Sequence, residues 1–84
     1  MAHYQFVVLC KPEDALEDYS AVSHDGFLNV DGIIRDGEVF SLDTLRWMLP
    51  EMSEEKRKET FQKILNQKIK AAEDAGLAAF LYLV

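Results

Sequence analysis

Apolar residues crowd both ends of this chain. Tyr4-Gln5-Phe6-Val7-Val8-Leu9-Cys10 lies near the start, and Leu77-Ala78-Ala79-Phe80-Leu81-Tyr82-Leu83-Val84 closes it without one charged side chain. Runs this short and this apolar read as strands buried on both faces. Chain ends normally fray unless something ties them down. The two runs are therefore expected side by side in one sheet.

Between them the period changes. Pro12 suits the first position of a helix, and Glu13, Asp14 and Glu17 favour its positive end. Leu16, Tyr19 and then Val22 or Ser23 give a short stripe at helical spacing, which predicts a helix over 12–22. Three Asp-Gly pairs follow, at 25–26, 31–32 and 36–37. Asp-Gly favours tight hairpin turns because Gly accepts positive φ and Asp tolerates it. Using both later pairs as turns would leave a strand of only Ile33 to Arg35. Asp36-Gly37 is therefore read as the turn between strands Phe27–Arg35 and Glu38–Leu42, with Gly32 as a bulge. Arg35 and Glu38 would face each other across that turn as an opposite-charge pair.

Ser41 or Asp43 can cap a short helix through Leu42, Leu45, Trp47, Met48 and Leu49, ended by Pro50. Ser53 then caps a long helix with Glu54 and Glu55 in its first turn, running to about Ala75 and stopping at Gly76. Phe61, Ile64, Leu65, Ala72 and Ala75 share one face of that helix, and Lys63, Asn66, Lys70 and Asp74 the other. Lys68 falls within the apolar stripe, where its stem is read as lying over the core with the ammonium reaching water.

Strand, helix, strand, strand, helix, strand is the βαββαβ pattern of the ferredoxin-like α+β sandwich. That fold has a four-stranded, mainly antiparallel sheet with both helices on one face. Its first and third strands would be central and the closing strand would lie at the edge beside the first. Two helices cover one face only. Along the ends of the chain, Tyr4, Phe6, Phe80, Tyr82 and Val84 would then be left on the other. An apolar patch of that kind marks an interaction surface. At about 25 cal/mol per Å2 it offers of order 10 kcal/mol gross, before association costs. The pattern thus predicts a homodimer, or a second protein, across that face.

Composition narrows the classes. Eighty-four residues make one domain, 1–84, with a modest core, and 49% apolar content suits a folded chain. The net charge of −6 opposes binding to nucleic acid or to an anionic membrane. That charge is concentrated: residues 1–43 hold nine acids and two bases, a sum of −7, and the rest six acids and seven bases, a sum of +1. The acids Glu13, Asp14, Glu17 and Asp18 would form a ridge on the first helix, solvated or docking a basic partner. An acidic half also admits an inhibitor that mimics nucleic acid.

A single cysteine, Cys10, excludes an internal disulfide and fits a reducing cytoplasm. As a strand residue it reads as a small buried hydrophobe. The first apolar run lacks the basic flank of a signal peptide, and the last is about half a membrane span. A cytoplasmic protein with no cofactor is expected.

Chemistry-bearing motifs are sparse. Asn29, Asp31, Gly32, Ile34 and Glu38 match part of a calcium loop, but Phe27 stands where the first ligand should be, so a hairpin explains them and no metal is expected. His24 and Asp25 are the candidates for acid–base chemistry, with His3 a possible third member, and no nucleophile or phosphate loop accompanies them. The ending Tyr82-Leu83-Val84 is similar to peptides captured by sheet-edge domains, but it continues a buried strand. Trp47, between Leu45 and Met48, is read as core, the alternative being a partly exposed interface anchor.

Tyr4-Gln5-Phe6-Val7-Val8-Leu9, then Pro12, then Glu17-Asp18-Tyr19 resembles the start of small dimeric α+β-barrel proteins. The resemblance spans about twenty residues and carries no catalytic motif; Leu42 to Leu49 departs from it. It implies a dimeric α+β fold, and some such proteins are monooxygenases or act on small molecules in apolar clefts. Two main expectations result. One is a non-enzymatic interaction protein using its open sheet face. The other is a small-molecule binder or enzyme with a cleft between sheet and helices.

Overall fold

A computed structural model of the chain describes residues 4–21 and 30–84. The strands are β1 (Gln5–Cys10), β2 (Ser20–Ala21), β3 (Gly32–Arg35), β4 (Glu38–Ser41) and β5 (Ala78–Leu83), with helices α1 (Leu42–Met48) and α2 (Glu54–Asp74) between β4 and β5. Among the described residues the strands form one mixed sheet in the order β2-β5-β1-β3-β4. β1 pairs antiparallel with β5 and parallel with β3, and β3 pairs antiparallel with β4. The α+β class expected from the sequence holds; the ferredoxin-like arrangement does not.

The difference has a physical origin in the hairpin. Asp36 at φ 50° and Gly37 at φ 80° form the expected turn, and Arg35 faces Glu38 across it. However, it is the first hairpin strand that lies next to β1. β3 carries Ile33, 1% exposed, whereas β4 begins with the exposed pair Glu38 and Val39. The more apolar strand takes the interior position and the more polar one takes the edge.

Where a helix over 12–22 was expected, there is one 3-10 turn, Pro12–Asp14, after which the backbone extends at Ala15. Leu16 is 62% exposed, so the proposed stripe buries nothing there. Ser20 and Ala21 instead pair with Leu81 and Phe80 as β2. That two-residue strand moves β5 off the edge of the sheet. Residues 27–29 of the proposed second strand, and Val22 to Gly26, lie outside the described residues.

Both helices pack on one face. Val7, Leu9, Val30, Ile33, Leu45, Phe61, Leu65, Ile69 and Ala72 form the core, joined by Phe40, Leu42, Leu77, Ala79 and Leu81. Ser41 caps α1 by accepting from Thr44 N at 3.3 Å, and Ser53 caps α2 by accepting from Lys56 N at 3.3 Å. Gly76, at φ 82°, ends α2. The apolar stripe of α2 runs through Phe61, Leu65, Ile69 and Ala72, with Ile64 and Lys68 half-buried; Ala75, expected in it, is exposed. Trp47 is also not core. Leu45 takes the buried side of the two-turn α1, and two residues further the helix has rotated about 200°, which leaves Trp47 83% exposed.

Candidate functional site

The face away from the helices can be read from the register. Tyr4 and Val84 exchange backbone hydrogen bonds, Tyr4 N to Val84 O at 3.1 Å and Val84 N to Tyr4 O at 2.9 Å. In the next row Tyr82, Phe6, Gly32 and Ser41 lie across β5, β1, β3 and β4. Ala21, Phe80, Val8, Ile34 and Val39 form the longest row, and Cys10 and Ala78 the last. Directly opposed residues share a face, so all thirteen lie on one surface, and none carries a charge.

The five residues singled out from the alternating pattern, Tyr4, Phe6, Phe80, Tyr82 and Val84, are brought together here. Val8 at the centre is 5% exposed, while Tyr4, Val39 and Val84 at the margins are about half open. A side chain the sequence did not indicate joins them. The Tyr19 ring meets Tyr82 edge-on at 5.4 Å and lies 6.3 Å from Phe80, which helps hold the segment before β2 against β5.

Phe6 depends on Gly32. A Cβ at Gly32 would stand 2.6 Å from two atoms of the Phe6 ring, so the glycine is the seat on which the ring rests. It is a regular strand position, not a bulge. Asp31 beside it clips the sheet to α1: its N donates to Gln5 O at 2.7 Å, its Oδ2 accepts from Gln5 N at 2.8 Å, and its carbonyl accepts from Leu42 N at 3.0 Å. Tyr4, Phe6, Asp31, Val39, Ser41 and Asp43 line a shallow depression of about 230 Å3 at this end of the face.

Cys10 is half-buried at the margin of the same face, not fully buried as its strand position suggested. Burial raises its pKa, and the charge of Asp14 adds to the effect, so the thiol is held protonated. Glu13, Asp14, Glu17 and Asp18 are all exposed, but they lie on the 3-10 turn and the loop after it and make no helical ridge. His24 and Asp25, and His3, lie outside the described residues.

A separate cleft of about 440 Å3 lies between the start of β3 and the two helices, lined by Asp31, Arg46, Lys58, Glu59 and Gln62 around Val30, Leu42 and Phe61. Arg46 is already held by Asp43 and Glu54, and Glu59 by Lys56. Among the described residues no three His, Cys, Asp or Glu side chains gather to hold a metal, and no helix is long and apolar enough to cross a membrane. No protein-family model matches this chain, and no match was found among the curated proteins or the solved structures.

Proposed function

We propose that the chain is a protein-interaction module that self-associates through the sheet face bearing Tyr4, Phe6, Val39, Phe80, Tyr82 and Val84. The observation that carries this reading is the register: thirteen positions of one surface, apolar at most points and uncharged at all. A chain of net charge −6 repels its own copy least where an uncharged surface holds most of its acids away, and on this face only Asp31 and Asp43 border one end. A single cysteine, Cys10, suits a reducing compartment such as the cytoplasm.

Affinity is expected to be modest. Gross burial of about 10 kcal/mol, less an association cost of about 5, leaves about 5 kcal/mol, or a dissociation constant near 0.2 mM. Light scattering over a concentration series tests this. The mass should rise toward twice the monomer, and Val39→Lys or Val84→Lys should return it to the monomer. Both residues are exposed, so neither substitution disturbs the core. A mass that does not change with concentration would sink the reading.

A second reading, a small-molecule binder, is supported by the cleft, where Lys58 has no ion pair among the described residues. It requires small carboxylates or phosphates to raise the melting temperature of the wild type and not of Lys58→Ala.

A further inference from the structure

We propose that the second copy lies with its strands parallel to those of the first, so that the aromatic ridge of Tyr19 and Tyr82 on each chain fills the low margin of β3 and β4 on the other. This rests on self-association through the sheet face and adds which side chains meet there.

Side-chain height falls across the sheet. One row runs Tyr82, Phe6, Gly32 and Ser41 over β5, β1, β3 and β4. The Tyr19 ring, 5.4 Å from Tyr82, extends that row on the β2 side. Three aromatic rings therefore precede a glycine and a serine. The Phe6 ring leans over Gly32, and the depression of about 230 Å3 lies at Val39, Ser41 and Asp43 beyond it. In the order β2-β5-β1-β3-β4 the middle strand is β1, so ridge and depression lie on opposite sides of the centre at the same level along the strands.

Two copies that meet through the same face are related by a two-fold axis lying between them. An axis parallel to β1 lays β2 and β5 of one copy over β4 and β3 of the other. Tyr82 then stands over Gly32 of the second copy, and Tyr19 over its Ser41 and the depression. An axis across the strands lays each strand over its own counterpart. The aromatic margins would then collide and the two depressions would face each other unfilled. The centre of a stable interface packs as densely as a protein interior, which selects the parallel axis.

The polar groups of the depression suit a phenol. Asp43 is held by Arg46 at 2.6 Å and Asp31 Oδ2 accepts from Gln5 N at 2.8 Å. Each carboxylate keeps lone pairs that can accept the O–H of an arriving tyrosine. Glu17 and Asp18, exposed just before Tyr19, travel with the ridge toward these acids. Arg46 offsets part of that repulsion, and the contact should tighten as salt screens the rest.

The row Ala21, Phe80, Val8, Ile34 and Val39 supplies the test, because Ala21 and Val39 at its two ends are both exposed. The parallel axis brings Ala21 of each chain to Val39 of the other. By light scattering, Ala21→Lys and Val39→Glu should each be monomeric at concentrations where the wild type is dimeric. Mixed in equal amounts, they should recover a dimer within about tenfold of the wild-type dissociation constant. A mixture of Val39→Lys with Val39→Glu should stay monomeric, because the axis keeps those positions apart. Recovery by the second mixture overturns the arrangement in favour of the axis across the strands. With a dimeric wild type, failure of both mixtures overturns it and leaves self-association standing. A wild type that stays monomeric overturns both.

Discussion

The ring of Phe6 rests on the backbone of Gly32, closer than any side chain there would allow: a Cβ would meet Cδ1 and Cε1 at 2.6 Å and the carbonyl oxygen of Phe40 at 3.1 Å. Gly32→Ala should force the ring off its seat and cost about 1–3 kcal/mol in chemical denaturation, the usual range for overpacking. In a Phe6→Ala background, Gly32→Ala should cost less than it does in the wild type. A single substitution that leaves the denaturation midpoint unchanged would mean the ring has another place to go.

Asp31 makes a narrower demand. Its carboxylate is the partner of Gln5 N, and removing it leaves a half-buried donor unmet. Asp31→Ala is expected to lower stability by about 1–2 kcal/mol, and Asp31→Asn, which keeps an acceptor, by less. Equal losses in the two variants, measured by urea titration, would show that the side-chain bond contributes little.

These two residues also show what the sequence could and could not reveal. The ends of α2 were legible because Ser53 and Gly76 act through their own local chemistry, and so was the Asp36-Gly37 turn with its Arg35–Glu38 register. The members of the open face were legible in β1 and β5, where alternation assigns each side chain a side. Strand order was not, because it depends on which hairpin strand is the more apolar neighbour for β1. β2 is two residues long and too short for any period. Asp31-Gly32 looked like turn chemistry, yet Gly32 serves a ring arriving from another strand and Asp31 clips β1 to α1, which no local pattern announces. Trp47 reads as core from its apolar neighbours Leu45 and Met48, yet the two-turn α1 buries only the side that Leu45 occupies.

The stripe of α2 gives a direct check on packing. Ile69 is 1% exposed whereas Ala75 lies outside the core. Ile69→Ala should cost about 2–5 kcal/mol, and Ala75→Ser no more than about 0.5. Comparable thermal shifts in both would place the core boundary elsewhere.

Acid should loosen the corner between α1 and α2 in a defined window. Hydrogen bonds from Arg46 first and Arg57 second lower the Glu54 pKa from the model-compound value of 4.5 to about 2. Because the folded carboxyl is the stronger acid, its contribution is complete above pH 4.5 and is lost as the pH falls toward 2. Trp47 emission should change across that interval in the wild type and change less in Glu54→Gln. Superimposable titrations would show that the ion pairs do not set the corner's shape.

Cys10 should be a slow nucleophile. Its thiol is held protonated by burial foremost and by the Asp14 charge second, so alkylation by iodoacetamide should lag behind that of a free cysteine at neutral pH. Asp14→Asn should recover only the smaller share of that lag. Reaction at the rate of the free amino acid would contradict the assignment.

β1 takes β3, made soon after it, on one side and β5, made about seventy residues later, on the other. During synthesis it can therefore be hydrogen-bonded along one edge only until Leu83 has left the ribosome. Until then an apolar ribbon, Phe6 to Cys10, waits with open backbone groups, and the closure that satisfies them spans almost the whole chain. Such distant pairing is slow to find and exposes the nascent protein to wrong partners in the interval. For this chain, the vulnerable interval is the one between the making of β1 and the making of β5.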